Sequence, residues 1–370
     1  MSVPVQHFGS EKIKVELIAH SNGIHVQQVY TGLKMLEQSG RLSCRVIYDR
    51  ERISRNARLG FRSAHSRCVT VKVDDTIICY DLNDNPYLTE EFLETSDFYF
   101  KRSYDAEVIS RYGELQNRVF PYGFNYLVYT DGTDWEGIMR TFKTTPLRSI
   151  PSVAMNYLPV LDLVNYVPRV GKMQSGPDFS LEPKVLFLAR LWDPYDSATR
   201  SESFVQDRIS LNESRIDCIR QLKRNFGARF FGGIIDTPFA RKMCPELLVS
   251  DRSITSQSGY IRLMQSFPVC ISTAGLYRSN GYKLAEYIAF SKAIVSEPVH
   301  YKTPGNFQAN HNYLEFTSAA ECINQVGVLF DDKSKRYDMM VKNWEYYETY
   351  MAPDTLIRNT LELALSRASS

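Results

Sequence analysis

Apolar and polar positions along this 370-residue chain fall into short blocks with two periods. Ile13 to Ala19 is a β-rich run, and the turn-forming His20-Ser21-Asn22-Gly23 follows it. Val26, Val29, Tyr30, Leu33 and Leu36 then recur at helical spacing, with Gly40 where a helix would stop, before Leu42 to Tyr48 turns β-rich again. Strand, glycine-containing turn, helix and strand together predict a βαβ unit and a parallel sheet. Further strands are expected at Val69 to Val73, Thr76 to Tyr80 and Asp97 to Phe100, separated by turns rich in Asp and Asn.

Between Ser149 and Pro183 the pattern dissolves. Pro151, Pro159, Pro168, Pro177 and Pro183, with Gly171 and Gly176, mark irregular structure or a linker. The βαβ rhythm then restarts with the strand Lys184 to Ala189, a helix from about Ser214 to Phe226 capped by Asn212 and ended by Gly227, and the strand Arg229 to Phe231 before Gly232-Gly233. A helix opened by Ser256 over Gln257 to Ser266, the strand Val269 to Ser272, a helix from about Tyr282 to Phe290 and the strand Ala293 to Val295 follow. Lys335 to Ser366 is helical with a break at Pro353, which lacks the backbone donor a helix needs. The expected fold class is therefore α/β, with two Rossmann-like, doubly wound domains at 1–180 and 181–340 and C-terminal helices over 341–370.

Composition adds limits rather than direction. An apolar share of 44% and a charged share of 23% are ordinary for a globular protein, and the length favours two cores over one. The net charge of +2 has no dominant basic block, which argues against a dedicated or sequence-specific nucleic-acid binder. Met1 to Glu11 has no apolar core between basic flanks, and no run of about 18 apolar residues suggests a transmembrane segment. Cys44, Cys68, Cys79, Cys218, Cys244, Cys270 and Cys322 are scattered without a Cys-x-x-Cys pair, so they read as reduced thiols. A cytoplasmic location, at most peripheral to a membrane, is expected.

The most informative stretch runs from Val269 to Val295, through Thr273, Gly275 and Gly281, into a helix carrying Lys283 and Glu286. Ligands of open parallel sheets sit outside the carboxyl ends of the strands, where the first turn of the next helix offers unpaired N–H groups and a positive dipole end. Gly275 and Gly281 would let backbone approach a diphosphate closely. Lys283 and Glu286, three residues apart, share one helix face. They are either a phosphate ligand with a carboxylate for ribose hydroxyls, or an exposed helix pair.

Lys283-Leu-Ala-Glu286-Tyr287-Ile-Ala-Phe-Ser-Lys-Ala-Ile-Val295 resembles the donor-site signature of nucleotide-sugar glycosyltransferases with the GT-B fold. The resemblance implies that Glu286 binds the nucleotide ribose and that Lys283 lies near the diphosphate. Phe187-Leu-Ala-Arg190-Leu191 is similar to the first strand of that donor domain, whose terminal Arg meets the donor phosphate, and the Pro-containing C-terminal helices resemble those that cross back to the first domain. In this fold the two domains face a cleft. Two departures stand out: Arg278 occupies the place eight residues before Glu286 where retaining members carry Glu, and Ser291 replaces the usual Gly before Lys292.

In the N-terminal half, His25 sits where the first strand hands over to its helix, as a general base or as a helix-start histidine bonded to backbone. Gly23 belongs to the same turn. Asp81 and Asp84 suit a base or its orienter, and equally ordinary turn chemistry. Lys101 and Arg102 follow a strand end, facing an anionic substrate or a solvated loop. The Pro121 to Asn125 turn is a further candidate. With no Asp-x-Asp triplet in the chain, no cofactor and no metal are expected, the departing diphosphate being stabilised by Lys283, Arg190 and a helix N-terminus. The expectation is a glycosyltransferase passing a sugar from a nucleotide sugar to a hydroxyl of a carbohydrate, lipid-linked or protein acceptor. It inverts the anomeric centre, with His25 or Asp81 as base. A nucleotide-sugar epimerase and a catalytically silent binding partner are the alternatives.

Overall fold

The computed structural model describes residues 12–59, 64–163, 166–196 and 201–368, so the Met1 to Glu11 stretch lies outside the described residues. The chain divides into two compact units. Unit 1 takes the residues up to Lys172, Tyr301–Gly305 and the residues from Glu348 onward, whereas unit 2 takes Met173–His300 and Asn306–Tyr347. The changes of unit thus fall at 172/173 and 347/348, with a brief return at 301–305, against boundaries of 180 and 340 expected from the breaker-rich stretch.

Unit 1 carries a six-stranded sheet in the order β2-β1-β3-β4-β5-β6. Its elements are β1 (Ile13–Ala19), α1 (Gln27–Gln38), β2 (Leu42–Tyr48), α2 (Arg50–Leu59), β3 (Cys68–Val73), β4 (Thr76–Asp81), α3 (Glu90–Thr95), β5 (Phe98–Lys101), α4 (Ala106–Ser110), β6 (Val119–Pro121), α5 (Trp135–Thr144) and α6 (Ile150–Ala154). β1 and β2 pair in parallel through α1, which ends before Gly40 at φ 75°. The sheet is not wholly parallel, because only two residues separate β3 from β4. So short a link allows only an antiparallel hairpin, turned at Asp74 with φ 51°, and β3 runs antiparallel to β1 as well. Among the described residues from Leu147 to Lys172 the chain makes short helical turns, α6 among them, and no strand of the sheet.

Unit 2 is built on an all-parallel sheet in the order β12-β11-β10-β7-β8-β9. The elements run β7 (Val185–Ala189), α7 (Glu202–Phe226), β8 (Phe230–Ile235), α8 (Pro238–Met243), β9 (Leu248–Val249), α9 (Arg252–Thr255), α10 (Gln257–Gln265), β10 (Val269–Ser272), α11 (Tyr282–Ala289), β11 (Ala293–Ser296), β12 (Leu314–Glu315), α12 (Ala319–Asp331) and α13 (Lys333–Tyr346). β7 reads Val-Leu-Phe-Leu-Ala, every side chain buried, as a central parallel strand covered on both faces requires.

α7 is a full 25 residues long, capped at Ser201 and stopped by Gly227 at φ 49°. Asn212 is therefore not a cap. It lies inside the helix and clasps the chain after β7, donating from Nδ2 to the Trp192 carbonyl at 2.8 Å and accepting the Trp192 N–H at 3.0 Å.

The final helix, α14 (Pro353–Ala368), belongs to unit 1. Its Leu356, Ile357, Leu361 and Ala364 are buried in the same core as Val29 and Leu33 of α1. Gly32 permits that packing, since a Cβ there would stand 2.2 Å from the Pro353 carbonyl oxygen. Among the described residues no helix is long and apolar enough to cross a membrane.

Candidate functional site

In unit 2 the carboxyl ends of β7 and β10 are adjacent in the sheet, and nine residues, 273–281, separate β10 from α11. Gly281 is its N-cap, with extended backbone and no side-chain cap, so the first N–H groups of the helix have no side-chain acceptor from that residue. Nothing lies within 4 Å of where a Cβ on Gly281 would be. Gly275 has a different reason to be glycine: a Cβ there would meet the Ser279 hydroxyl at 2.6 Å, and its N–H closes the loop onto the Ser279 carbonyl at 2.8 Å.

Lys283 and Glu286 are not an exposed pair. Lys283 donates from Nζ to the Leu188 carbonyl of β7 and stands 4.7 Å over the Tyr260 ring. Burial draws its pKa down to about 8, partly opposed by Glu286. Glu286 is only 7% exposed, and burial pushes its carboxyl up to about 7 against the attraction of Lys283. Among the described residues its carboxylate has neither a hydrogen bond nor an ion pair. Its oxygens are not among the enclosed side-chain atoms left without a partner, so a ligand's donors can reach them.

Arg215 of α7 organises the surroundings and was not legible in the sequence, where it reads as an ordinary helix cation. It donates to the Arg190 carbonyl at 2.5 Å, to Thr273 Oγ1 at 3.0 Å and to the Ala274 carbonyl at 3.0 Å, tying the ends of β7 and β10 together. Burial lowers its pKa to about 10, with Glu297 acting the other way. Glu297, equally unmarked in sequence, accepts from the Ser214 hydroxyl at 2.6 Å and from the Ala274 N–H at 2.8 Å. Only the strand order, which makes β7 a neighbour of β10, brings these groups together. Thr273 is thus an anchor for Arg215, while the Arg190 guanidinium is exposed, 5.1 Å over the Trp192 ring.

Ser291 follows α11 at φ 54°, the left-handed conformation in which glycine is the usual residue. Its buried hydroxyl donates to the Ser175 carbonyl at 2.6 Å, which offsets the strain of a side chain there.

Unit 1 separates its candidates into two groups. Asp81 and Lys101 are both completely buried and paired at 3.0 Å. Asp81 also accepts from the Tyr99 hydroxyl at 2.5 Å and from the N–H and side-chain amide of Asn83 at 2.9 and 2.7 Å. A carboxylate so enclosed cannot take a proton from a substrate, which corrects the expectation of Asp81 as base and of Lys101 as an anion ligand. They hold the ends of β4 and β5 instead.

The second group is His25, Arg67, Asp84 and Arg102. Asp84 accepts from Arg67 at 2.8 Å and from Arg102 at 2.5 Å. Burial favours its neutral form, but Arg102 and Arg67 outweigh it and hold the carboxyl below its usual value. His25 lies in the short turn Ile24–Val26 after Gly23, half-buried, and its pKa is lowered to about 4 by burial, then by Arg67 and Arg102, with Asp84 in opposition. The imidazole is therefore neutral near pH 7. Gly23 accepts the Val26 N–H at 3.2 Å, at an ordinary extended φ that any residue could adopt. In the Pro121 to Asn125 segment Gly123 has φ 100°, and Asn125 donates to the His25 carbonyl at 2.8 Å.

No protein-family model and no curated protein sequence matches this chain. Among solved structures, it is similar to HepE of Anabaena in complex with UDP and glucose, at 10% identity over 96% of this chain and 99% of that one, with a TM-score of 0.38. UDP-GlcNAc 2-epimerase of Neisseria meningitidis bound to UDP-GlcNAc is similar at 12% identity over 75% and 65% of the two chains, TM-score 0.36. The C-terminal domain of a glycosyl transferase group 1 family protein from Francisella tularensis matches at 10% identity over 49% and 96%, TM-score 0.33. The chemistry of the site, rather than this likeness, carries the functional conclusion.

Proposed function

We propose that the protein is a nucleotide-sugar glycosyltransferase of the GT-B kind, with the donor held by unit 2. The observation that carries this is Glu286, a largely buried residue whose carboxylate has no hydrogen-bond partner among the described residues and is not sealed off, one turn into a helix whose N-terminus lacks a side-chain cap. Vicinal ribose hydroxyls are donors that suit such a carboxylate, and a diphosphate suits the helix N-terminus beside Lys283 and Arg190.

In the transfer, the bond between the sugar's anomeric carbon and the diphosphate oxygen breaks, and the diphosphate leaves with the electron pair. A bond forms from the acceptor oxygen to the anomeric carbon, and the acceptor's proton passes to a base. The anomeric configuration inverts in this reading. The departing charge is met by Arg190, Lys283 and backbone N–H groups without a metal. The acceptor is a hydroxyl of a carbohydrate, lipid-linked or protein substrate.

Calorimetry with UDP, GDP, CDP and dTDP tests the reading, which fails if none binds. Glu286→Gln keeps the shape but replaces one acceptor by a donor. It should weaken the bound nucleotide by roughly ten- to a hundredfold, the loss of one hydrogen bond to a charged group. Lys283→Met should weaken the diphosphate far more than the monophosphate.

A further inference from the structure

The helix α5 of unit 1 is amphipathic in the reverse sense. Trp135, Met139 and Phe142 recur at helical spacing on one side and are 69, 48 and 56% exposed, whereas Gly137, Arg140, Thr141 and Thr144 fall on the other side and are buried. Leu147, in the turn that follows, is 86% exposed. Large apolar residues exposed singly are ordinary, but a row of them along one helix and the turn after it marks an interaction surface.

The two sides cannot change places. Arg140 donates from Nε to Asn22 Oδ1 at 3.1 Å, and Asn22 donates from Nδ2 to Thr141 Oγ1 at 2.8 Å, fastening the helix to the turn after β1. The Arg140 guanidinium also lies 3.8 Å over the Tyr30 ring. Rolling α5 to cover Trp135 would strip a buried cation of these partners. The outward apolar face is therefore built into the unit.

The charges beside this face indicate what covers it. Between Trp135 and Val160 the chain carries Arg140, Lys143 and Arg148 against the single acid Glu136. Arg140 is buried, while Lys143 and Arg148 are exposed and, among the described residues, form no ion pair. The next acid along the chain, Asp162, is already held by Arg169 and Lys172 at 2.7 and 2.9 Å. Lysine is scarce in the core of protein–protein interfaces, whereas Trp, Phe and Leu beside Lys and Arg suit a segment lying at the surface of an anionic bilayer. Ten residues of helix are too short to span a bilayer and suit a helix lying in its plane.

We propose that α5 and the turn after it form a docking surface for an anionic lipid bilayer. Trp135, Met139, Phe142 and Leu147 enter the boundary between headgroups and acyl chains, and Lys143 and Arg148 meet anionic headgroups. The surface lies wholly in unit 1 and does not depend on the donor-site reading.

The test uses the full-length protein with vesicles of phosphatidylcholine, alone or in equal parts with phosphatidylglycerol. Wild type should sediment with the mixed vesicles at least about tenfold more strongly than with the neutral ones, and high salt should remove that preference. Lys143→Gln combined with Arg148→Gln should weaken binding to the mixed vesicles by about ten- to thirtyfold. Trp135→Gln combined with Phe142→Gln and Leu147→Gln should weaken it by more than about tenfold while the urea midpoint stays put. Tryptophan emission gives a reading on wild type itself: brominated lipid in the mixed vesicles should quench it, and Trp135→Phe should remove the quenching while keeping the binding. The proposal is overturned if wild type does not sediment with the mixed vesicles, or sediments equally with both kinds. It is overturned as well if the bound protein shows no quenching, or if the folded triple variant binds as wild type does. Self-association of wild type that the triple variant abolishes, without vesicle binding, would give the face to a second copy of the chain instead.

Discussion

Glu286 and Lys283 stand one helical turn apart, and burial moves their pKa values toward each other, to about 7 and about 8. The consequence for stability follows from the sign of each shift. Glu286 keeps its proton in the folded chain where the unfolded chain has already released it, so its stabilising contribution is full below its ordinary value of 4.5 and is lost as pH rises to about 7. Lys283, whose folded pKa is depressed, destabilises the fold at neutral pH, and that penalty is relieved as pH rises from about 8 towards its ordinary 10.5. Ligand binding should run the other way on the acid side, because ribose hydroxyls prefer the ionised carboxylate. Nucleotide affinity is expected to rise as pH climbs through about 7 and to fall above about 8, where the ammonium loses its charge. Glu286→Gln should abolish the acid limb and keep the alkaline one. Calorimetry at a series of pH values checks this, and a flat profile between pH 6 and 8 in wild type would rule out Glu286 as the ribose acceptor.

At the scale of elements, α1 and α14 meet at Gly32. In an open helix Gly→Ala stabilises by about 1 kcal/mol through propensity. Here the added Cβ meets a backbone carbonyl at 2.2 Å and Ile357 Cγ1 at 2.6 Å, so Gly32→Ala should instead destabilise by about 1–3 kcal/mol, measured by urea unfolding. Stabilisation would mean that the two helices do not pack as described. Elements with local signals were readable in the sequence: β1, β2 and β10 have the bounds their apolar runs predict, and Ser256 caps α10 by accepting the Gly259 N–H. α7 was read short because its polar first half, before Leu211, lacks an apolar stripe, and Asn212 looked like a cap when its real partner is the distant Trp192. β9 and β12, two residues each, are too short for any period to register. Of the candidate site, Lys283 and Glu286 were legible because they share a helix turn, whereas Arg215 and Glu297 matter only through strand order. Asp81 was misjudged because sequence shows a carboxylate after a strand but not the Tyr99, Lys101 and Asn83 groups that enclose it.

For the whole molecule, the division into units does not follow the order of the chain. Unit 1 begins first, yet it is completed by residues beyond Glu348, and unit 2 lies wholly within the interval. A chain ended at Tyr347 should therefore retain nucleotide binding by unit 2 while the amides of β1 and α1 lose hydrogen-exchange protection. Unchanged protection there would show that unit 1 does not need α14. Multi-domain chains generally fold from the amino-terminal end as they are synthesised. In this one the order is reversed for the core. Val29 and Leu33 are synthesised before unit 2, but Leu356, Ile357, Leu361 and Ala364, which cover them, are synthesised after it. The first unit to appear must wait with an apolar helix face uncovered until the second has been translated in full, and its quality control falls to whatever shields nascent chains in that interval.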